Sequence, residues 1–268
     1  MTPAVETRKE PIFKFESPEG RNLCRKILEQ RLPYGPHDFQ LDGITAVLDG
    51  FDLLAISATG PGKSAYIYML LHVILGLLDS PTLCPTAKFP KDPAVLVVYP
   101  TTALEEDQEK KMGRLGIKAK AINAMTKMVA AQQAINIWSS VESTTNVILV
   151  SPEMLSTRGF ANLIESKTFQ SRLVAIVVDE VHLLTSWGEN FRPAFRQIGY
   201  IRKRFSQKVP TIAMTATLQD KNRSAICSQL GFREGTYRLV HRSNSRPDIQ
   251  LFSHSNFLAG YVNFIVAG

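Results

Sequence analysis

The chain has 268 residues, 44% of them hydrophobic and 21% charged, which suits a globular protein with a real core and excludes a disordered or low-complexity chain. Lysine and arginine number 31 against 24 acids, a formal charge of +7; that surplus fits a polyanionic partner without requiring one. The three cysteines, Cys24, Cys84 and Cys227, form no CxxC pair and no even framework, which argues against structural zinc and for a reducing compartment.

In chain order, residues 1–20 are polar, lack an apolar signal core and predict a flexible N-terminal arm. Continuous apolar runs at 51–57, 94–99, 146–150, 173–178 and 209–214 predict strands buried on both faces, as in a parallel sheet covered by helices. Helical segments are expected between them at 64–79, 102–113, 125–139, 153–167 and 219–230. The run from Ala65 to Leu78 is too short to span a bilayer and reads as a buried helix, so no membrane partner is expected and the protein is placed inside the cell. Residues 79–93 carry four prolines and read as a loop. The alternation predicts an α/β domain, mostly parallel, with helices on both faces. The expected lobe runs over 21–240, and 241–268 read as a linker or the start of a further, absent lobe.

The stretch "SATGPGKS" (57–64) follows a strand and opens a helix, the setting of a phosphate loop. Thr59, Gly60 and Gly62 belong to the loop, where glycines let the backbone close on phosphate oxygens and the helix N-terminus adds positive partial charge. Lys63 would reach the β- and γ-phosphates and Ser64 would hold Mg²⁺. Ser57 stands where the stricter motif has its first glycine, and Pro61 removes one N–H donor. The bland alternative is a glycine-rich turn with a surface lysine. A second stretch, "VVDEVH" (177–182), ends a buried strand: Asp179 suits Mg²⁺ binding and Glu180 suits polarising an attacking water, although two acids there are more often a solvated turn. In "AMTATL" (213–218), Thr215 and Thr217 could join the nucleotide site to a nucleic-acid path; a threonine-rich strand edge is the plainer reading. His72 and Trp138 read as packed core residues and "RKRF" (202–205) as a solvated helix face.

Together these stretches resemble the first RecA-like lobe of superfamily 2 helicases, and most closely the RecQ family of DNA helicases, over roughly residues 30–250. "DEVHLLTSWGENFRPAF" is the specific part, since RecQ proteins follow a DExH box with an aromatic-rich loop of this pattern. The resemblance implies a P-loop NTPase using ATP and Mg²⁺, with Trp187, Phe191 and Arg192 engaging single-stranded or partly duplex DNA and His182 coupling the acids to the 213–218 stretch. It further implies 3′–5′ unwinding, a nuclear location if the source is a eukaryote, and Gln40 reading the adenine edge. His37 stands where the family has an arginine before that glutamine. In the family the arginine fingers lie in a second lobe and typically supply about 10³–10⁵ in rate. The expectation is therefore a chain that binds nucleotide and hydrolyses it poorly alone, with a second lobe in trans left open. A rival reading is a non-catalytic nucleic-acid-binding or regulatory lobe of a truncated paralogue, which the intact Lys63, Asp179 and Glu180 disfavour. Another is a P-loop ATPase acting on protein, against which the 187–195 segment argues.

Overall fold

The computed structural model describes residues 13–57, 62–186, 198–205, 208–218, 220–242, 250–255 and 262–267. Seven strands, β1 (Asp52–Ile56), β2 (Ala94–Val98), β3 (Ala119–Ile122), β4 (Val147–Val150), β5 (Leu173–Val178), β6 (Thr211–Thr215) and β7 (Tyr237–His241), form one sheet in the order β3-β4-β2-β5-β6-β1-β7. Every pairing is parallel. The expected α/β architecture is found, and all five predicted strands are present.

The apolar runs are continuous because each strand feeds two cores. Leu53 and Ala55 of β1 pack into one cluster; Leu54 and Ile56 pack into the other. The first core is covered by α1 (Pro18–Arg31), α2 (Asp38–Leu48), α3 (Ala65–Asp79) and α4 (Thr102–Arg114). The second is covered by α5 (Ala124–Gln132), α6 (Ile137–Glu142), α7 (Arg158–Glu165), α8 (Lys167–Arg172), α10 (Ile198–Lys203) and α11 (Asp220–Leu230), with the short α9 (Leu183–Ser186) after β5. Trp138 sits in this second core with its ring edge-on to Phe160. Twelve of the fifteen residues of α3 are buried, as its unbroken apolar sequence requires. Its close approach to α2 depends on Gly43, where an added Cβ would lie 2.3 Å from the Tyr66 ring. Among the described residues no helix is long and apolar enough to cross a membrane.

Several expectations are corrected. The segment read as arm is packed from Phe13 onward: Phe15 is buried, and the Phe15 and Glu16 N–H groups donate to the Asp49 carboxylate at 2.9 and 3.0 Å. Ser17 then caps α1 by accepting from the Gly20 N–H, with Pro18 at the first helical position. The single helix expected over 125–139 is two helices. Ala134 adopts a left-handed φ of 55°, and Asn136 caps the second by accepting from the N–H groups of Trp138 and Ser139. The helix expected over 153–167 is likewise a 3-10 turn (Pro152–Ser156) followed by α7 and α8, capped by Thr157 and Ser166. The 202–205 run is not wholly solvated. Arg202 Nη2 donates to both carboxylate oxygens of buried Asp52 at 2.6 Å, and Phe205 is in the core. Within residues 241–268, expected to be a linker or the start of a further lobe, β8 (Gln250–Ser255) and β9 (Val262–Ala267) pair antiparallel as a separate two-stranded sheet.

Candidate active site at the carboxyl edge of the sheet

Because β1, β5 and β6 run parallel with β6 in the middle, their carboxyl ends lie side by side on one edge. Open α/β sheets build their sites there. Lys63 and Ser64 follow β1, Asp179 to His182 follow β5, and Thr215 ends β6. The Ser57 N–H donates to the Thr215 carbonyl at 3.1 Å, and Lys63 Nζ donates to the Ser57 carbonyl at 3.2 Å. The Lys63 side chain is thus drawn back over the strand end, and the residue is only 8% exposed. Ser64 opens α3, and its Oγ accepts from Lys111 Nζ of α4 at 2.9 Å.

The segment after β5 is pinned from both sides. Asp179 donates its N–H to the Val98 carbonyl of β2, and Val181 donates to the Met214 carbonyl of β6, both at 3.0 Å. Between these anchors Glu180 takes a left-handed φ of 51°, a conformation that costs a non-glycine residue on the order of 1–3 kcal/mol. Burial, and then the neighbouring Glu180 charge, push the Asp179 carboxyl up to about 6; the Glu180 N–H at 3.0 Å and the Lys63 ammonium pull the other way.

Thr215 is fully buried and its hydroxyl donates to the Thr217 carbonyl at 3.0 Å. Its oxygen is then left to accept from His182 Nδ1 at 2.9 Å, which places the ring hydrogen on that nitrogen. Glu180 Oε2 lies 3.1 Å from the same nitrogen, yet one N–H serves one acceptor well. That carboxylate oxygen is therefore buried without a hydrogen bond. Thr217 is exposed and touches this network through its backbone.

The donor set fits a nucleotide with a hard divalent cation. A hydroxyl and a raised carboxyl stand beside an ammonium, and a buried carboxylate oxygen makes no hydrogen bond. Among the described residues no group of three or more His, Cys, Asp or Glu side chains could hold a metal. Magnesium is usually held by one or two protein oxygens with substrate phosphates completing the shell.

Gln40 is 2% exposed, and its carboxamide is engaged on both sides. Oε1 accepts from the His37 N–H at 2.9 Å and Nε2 donates to the Gly62 carbonyl at 3.3 Å. It ties the start of α2 to the end of the phosphate loop, whereas the sequence led to the expectation of an amide reading adenine. Beside it Phe39 stacks on His37 with ring centroids 5.5 Å apart, and the Arg242 guanidinium lies 4.7 Å from the Phe39 centroid. Thr59, Gly60, Trp187, Phe191 and Arg192 lie outside the described residues. Sequence reasoning missed Lys111 and Tyr99. The Tyr99 hydroxyl is buried without a hydrogen bond, and it feels the charges of Asp179 and Asp107. Lys111 carries no motif, because it comes from a stretch that reads only as helix, and the sequence reading gives Tyr99 no role of its own.

A family model described as DEAD/DEAH box helicase matches residues 37–226. The chain is 26% identical over 199 residues to the ATP-dependent helicase SGS1 of Saccharomyces cerevisiae, covering 74% of this chain and 13% of that protein. It is 31% identical over 214 residues to the ATP-dependent DNA helicase RecQ of Haemophilus influenzae, covering 79% and 30%. It is 32% identical over 181 residues to the RecQ-like DNA helicase blm-1 of Caenorhabditis elegans, covering 66% and 16%. The chain therefore spans less than a third of the length of these relatives. Among solved structures, the DUF1998 helicase MrfA bound to DNA superposes with a TM-score of 0.59 at 17% identity, over 88% of this chain and 31% of that one. The Hef helicase domain of Pyrococcus furiosus gives 0.54 at 20%, over 84% and 40%. Identities this low speak for the fold alone, and that fold is the RecA-like α/β domain expected from the sequence.

Proposed function

The chain belongs to the DEAD/DEAH box helicase family, with RecQ helicases among its relatives, and from that premise we propose that residues 21–240 form the ATP-binding lobe of a RecQ-like, ATP-dependent 3′–5′ DNA helicase. The observation that carries the reading is the convergence of Lys63, Ser64, Asp179 and Glu180 on one sheet edge, with His182 bridging to Thr215. Lys63 binds the β- and γ-phosphates, and Ser64 and Asp179 hold magnesium. Bound magnesium supplies charge neutralisation on the phosphate oxygens. Glu180, with its Oε2 buried, 3.1 Å from His182 Nδ1 and outside any hydrogen bond, is held by a strained backbone and orients the attacking water. Thr59, Gly60 and Gly62 line the phosphate loop. Gln40 fixes the loop to α2 and leaves one Nε2 hydrogen for a base edge, beside the aromatic face of Phe39.

His182 and Thr215 carry the coupling. Trp187, Phe191 and Arg192, which follow in sequence, engage single-stranded DNA by stacking and charge, and Thr217 lies on the same path. Binding DNA then acts on the segment that positions Glu180. Within this reading the arginine fingers belong to a second helicase lobe, and residues 241–268 lead toward such a lobe.

The test is a titration with a fluorescent ADP or ATP analogue. Lys63→Ala should abolish binding while the melting temperature stays within a few degrees of the parent; unchanged affinity refutes the site. Trp187→Ala should weaken DNA binding, and any DNA-stimulated turnover, more than nucleotide affinity. Equal loss of both would remove the loop from the DNA role.

A further inference from the structure

Lys111 comes from α4, 47 residues from Ser64, and donates to Ser64 Oγ at 2.9 Å. Its ammonium also lies 5.4 Å from the centroid of the Tyr68 ring, whose hydroxyl is fixed by Tyr34 at 2.8 Å. The side chain is half-buried, so the charge is directed at Ser64 and is not a loose surface cation. Magnesium binds an oxygen ligand at about 2.1 Å. With Nζ at 2.9 Å from the same oxygen, the two cations would stand at most about 5 Å apart. Like charges at that range in a partly desolvated site repel strongly. The hydroxyl can serve one of them well, not both.

Lys111 has a second seat. Asp107 precedes it by four residues on the same helix, the spacing at which an acid and a following lysine meet on one face. The Asp107 carboxylate already attracts this ammonium, and burial works against the charge where it now sits.

We propose that Lys111 is a tethered cation that competes with magnesium for Ser64 Oγ, and that Asp107 is the seat to which it withdraws when the metal takes the hydroxyl. The pair sets the magnesium concentration at which the site grips nucleotide. This rests on the reading of Lys63 and Ser64 as the phosphate and metal end of the site. Lys111 is a positioning residue here, since it acts through Ser64.

The experiment titrates magnesium at fixed fluorescent ADP and reads the midpoint of the metal-dependent gain in binding, with no turnover involved. Lys111→Met should lower that midpoint by about fivefold or more, and Asp107→Asn, which removes the alternative seat, should raise it by about twofold or more. Lys111→Gln serves as the second variant should the methionine disturb packing against Tyr68, and melting temperatures confirm folding. If the parent chain shows no magnesium-dependent binding, the reading of the site itself fails and the inference falls with it. If the parent responds to magnesium and both Lys111 variants keep its midpoint, only the competition is overturned. Equal weakening of nucleotide binding with and without magnesium in the Lys111 variants would make the residue a phosphate ligand and also overturn it.

Discussion

His182 Nδ1 lies 2.9 Å from Thr215 Oγ1, and this side-chain hydrogen bond, beside the backbone bond from Val181 to Met214, ties the segment after β5 to the end of β6. The Thr215 hydroxyl donates onward to the Thr217 carbonyl, so a valine at 215 removes an acceptor and a donor together. Thr215→Val should therefore remove the side-chain link between the two segments while leaving the Val181–Met214 backbone bond and the Lys63 end intact. Nucleotide affinity without DNA should stay within about threefold of the parent. The change in nucleotide affinity on adding single-stranded DNA should fall, since such couplings are typically about 1–3 kcal/mol. Measuring nucleotide affinity with and without DNA for both proteins decides it; an undiminished DNA effect would leave His182–Thr215 as packing only.

Asp52 and Arg202 give a prediction about stability. Asp52 is 1% exposed, accepts Arg202 at both carboxylate oxygens and also accepts the Thr211 N–H at 2.8 Å. Removing one partner of a buried pair leaves the other charge stranded, at a cost of about 3–5 kcal/mol. Asp52→Ala should lose stability on that scale by urea unfolding. Asp79→Ala, which breaks the exposed Arg31–Asp79 pair at 2.7 Å, should lose no more than about 1 kcal/mol. Comparable losses for the two variants would contradict the role of burial.

The same contrast explains what was legible in the sequence. Central strands were readable because burial on both faces demands unbroken apolar runs. The edge strands β3 and β7 were not, since "AKAI" and "YRLVH" are short and broken by charge, with Lys120 paired to Glu109 and Arg238 to Glu16. Helix ends set by single side chains, such as Asn136 and Thr157, were hidden inside runs with good helical composition. The phosphate loop and the acids of "VVDEVH" were visible because their chemistry is contiguous in sequence. Lys111 and the engaged amide of Gln40 were not, because each depends on a partner brought in by the fold.

Glu105 is fully buried on α4; one carboxylate oxygen accepts from Asn123 Nδ2 at 3.1 Å and the other has no partner. Burial chiefly raises its carboxyl from 4.5 to about 7, with Glu153 and Glu106 adding to the rise against the Asn123 bond. A raised carboxyl contributes stability that is complete below 4.5 and is lost as pH climbs through about 7. Glu105→Gln keeps an acceptor for Asn123 and carries no charge. Its melting temperature should match or trail the parent at pH 5 and exceed it at pH 8. A constant offset across that range would show that Glu105 ionises equally in folded and unfolded chains, against its burial.

His72 supplies the opposite slope. It lies on α3 in the first core, 6% exposed, with both ring nitrogens buried and lacking a hydrogen bond. Burial first, and the Arg31 charge second, lower it from 6.5 to about 4; the Leu115 backbone opposes them, near the ring without meeting hydrogen-bond geometry. A lowered histidine keeps its contribution above 6.5 and loses it as pH falls through about 4, because the unfolded chain takes up the proton first. Between about 4.5 and 6.5 His72 opposes Glu105 and Asp179, whose raised carboxyls both favour lower pH, and so softens the parent's loss of stability as pH rises. His72→Leu removes one side of that balance. Its melting temperature relative to the parent should rise steadily as pH drops from 7 toward 4.5. Parallel curves for the two proteins would mean that the ring is protonated equally in folded and unfolded chains, against its burial.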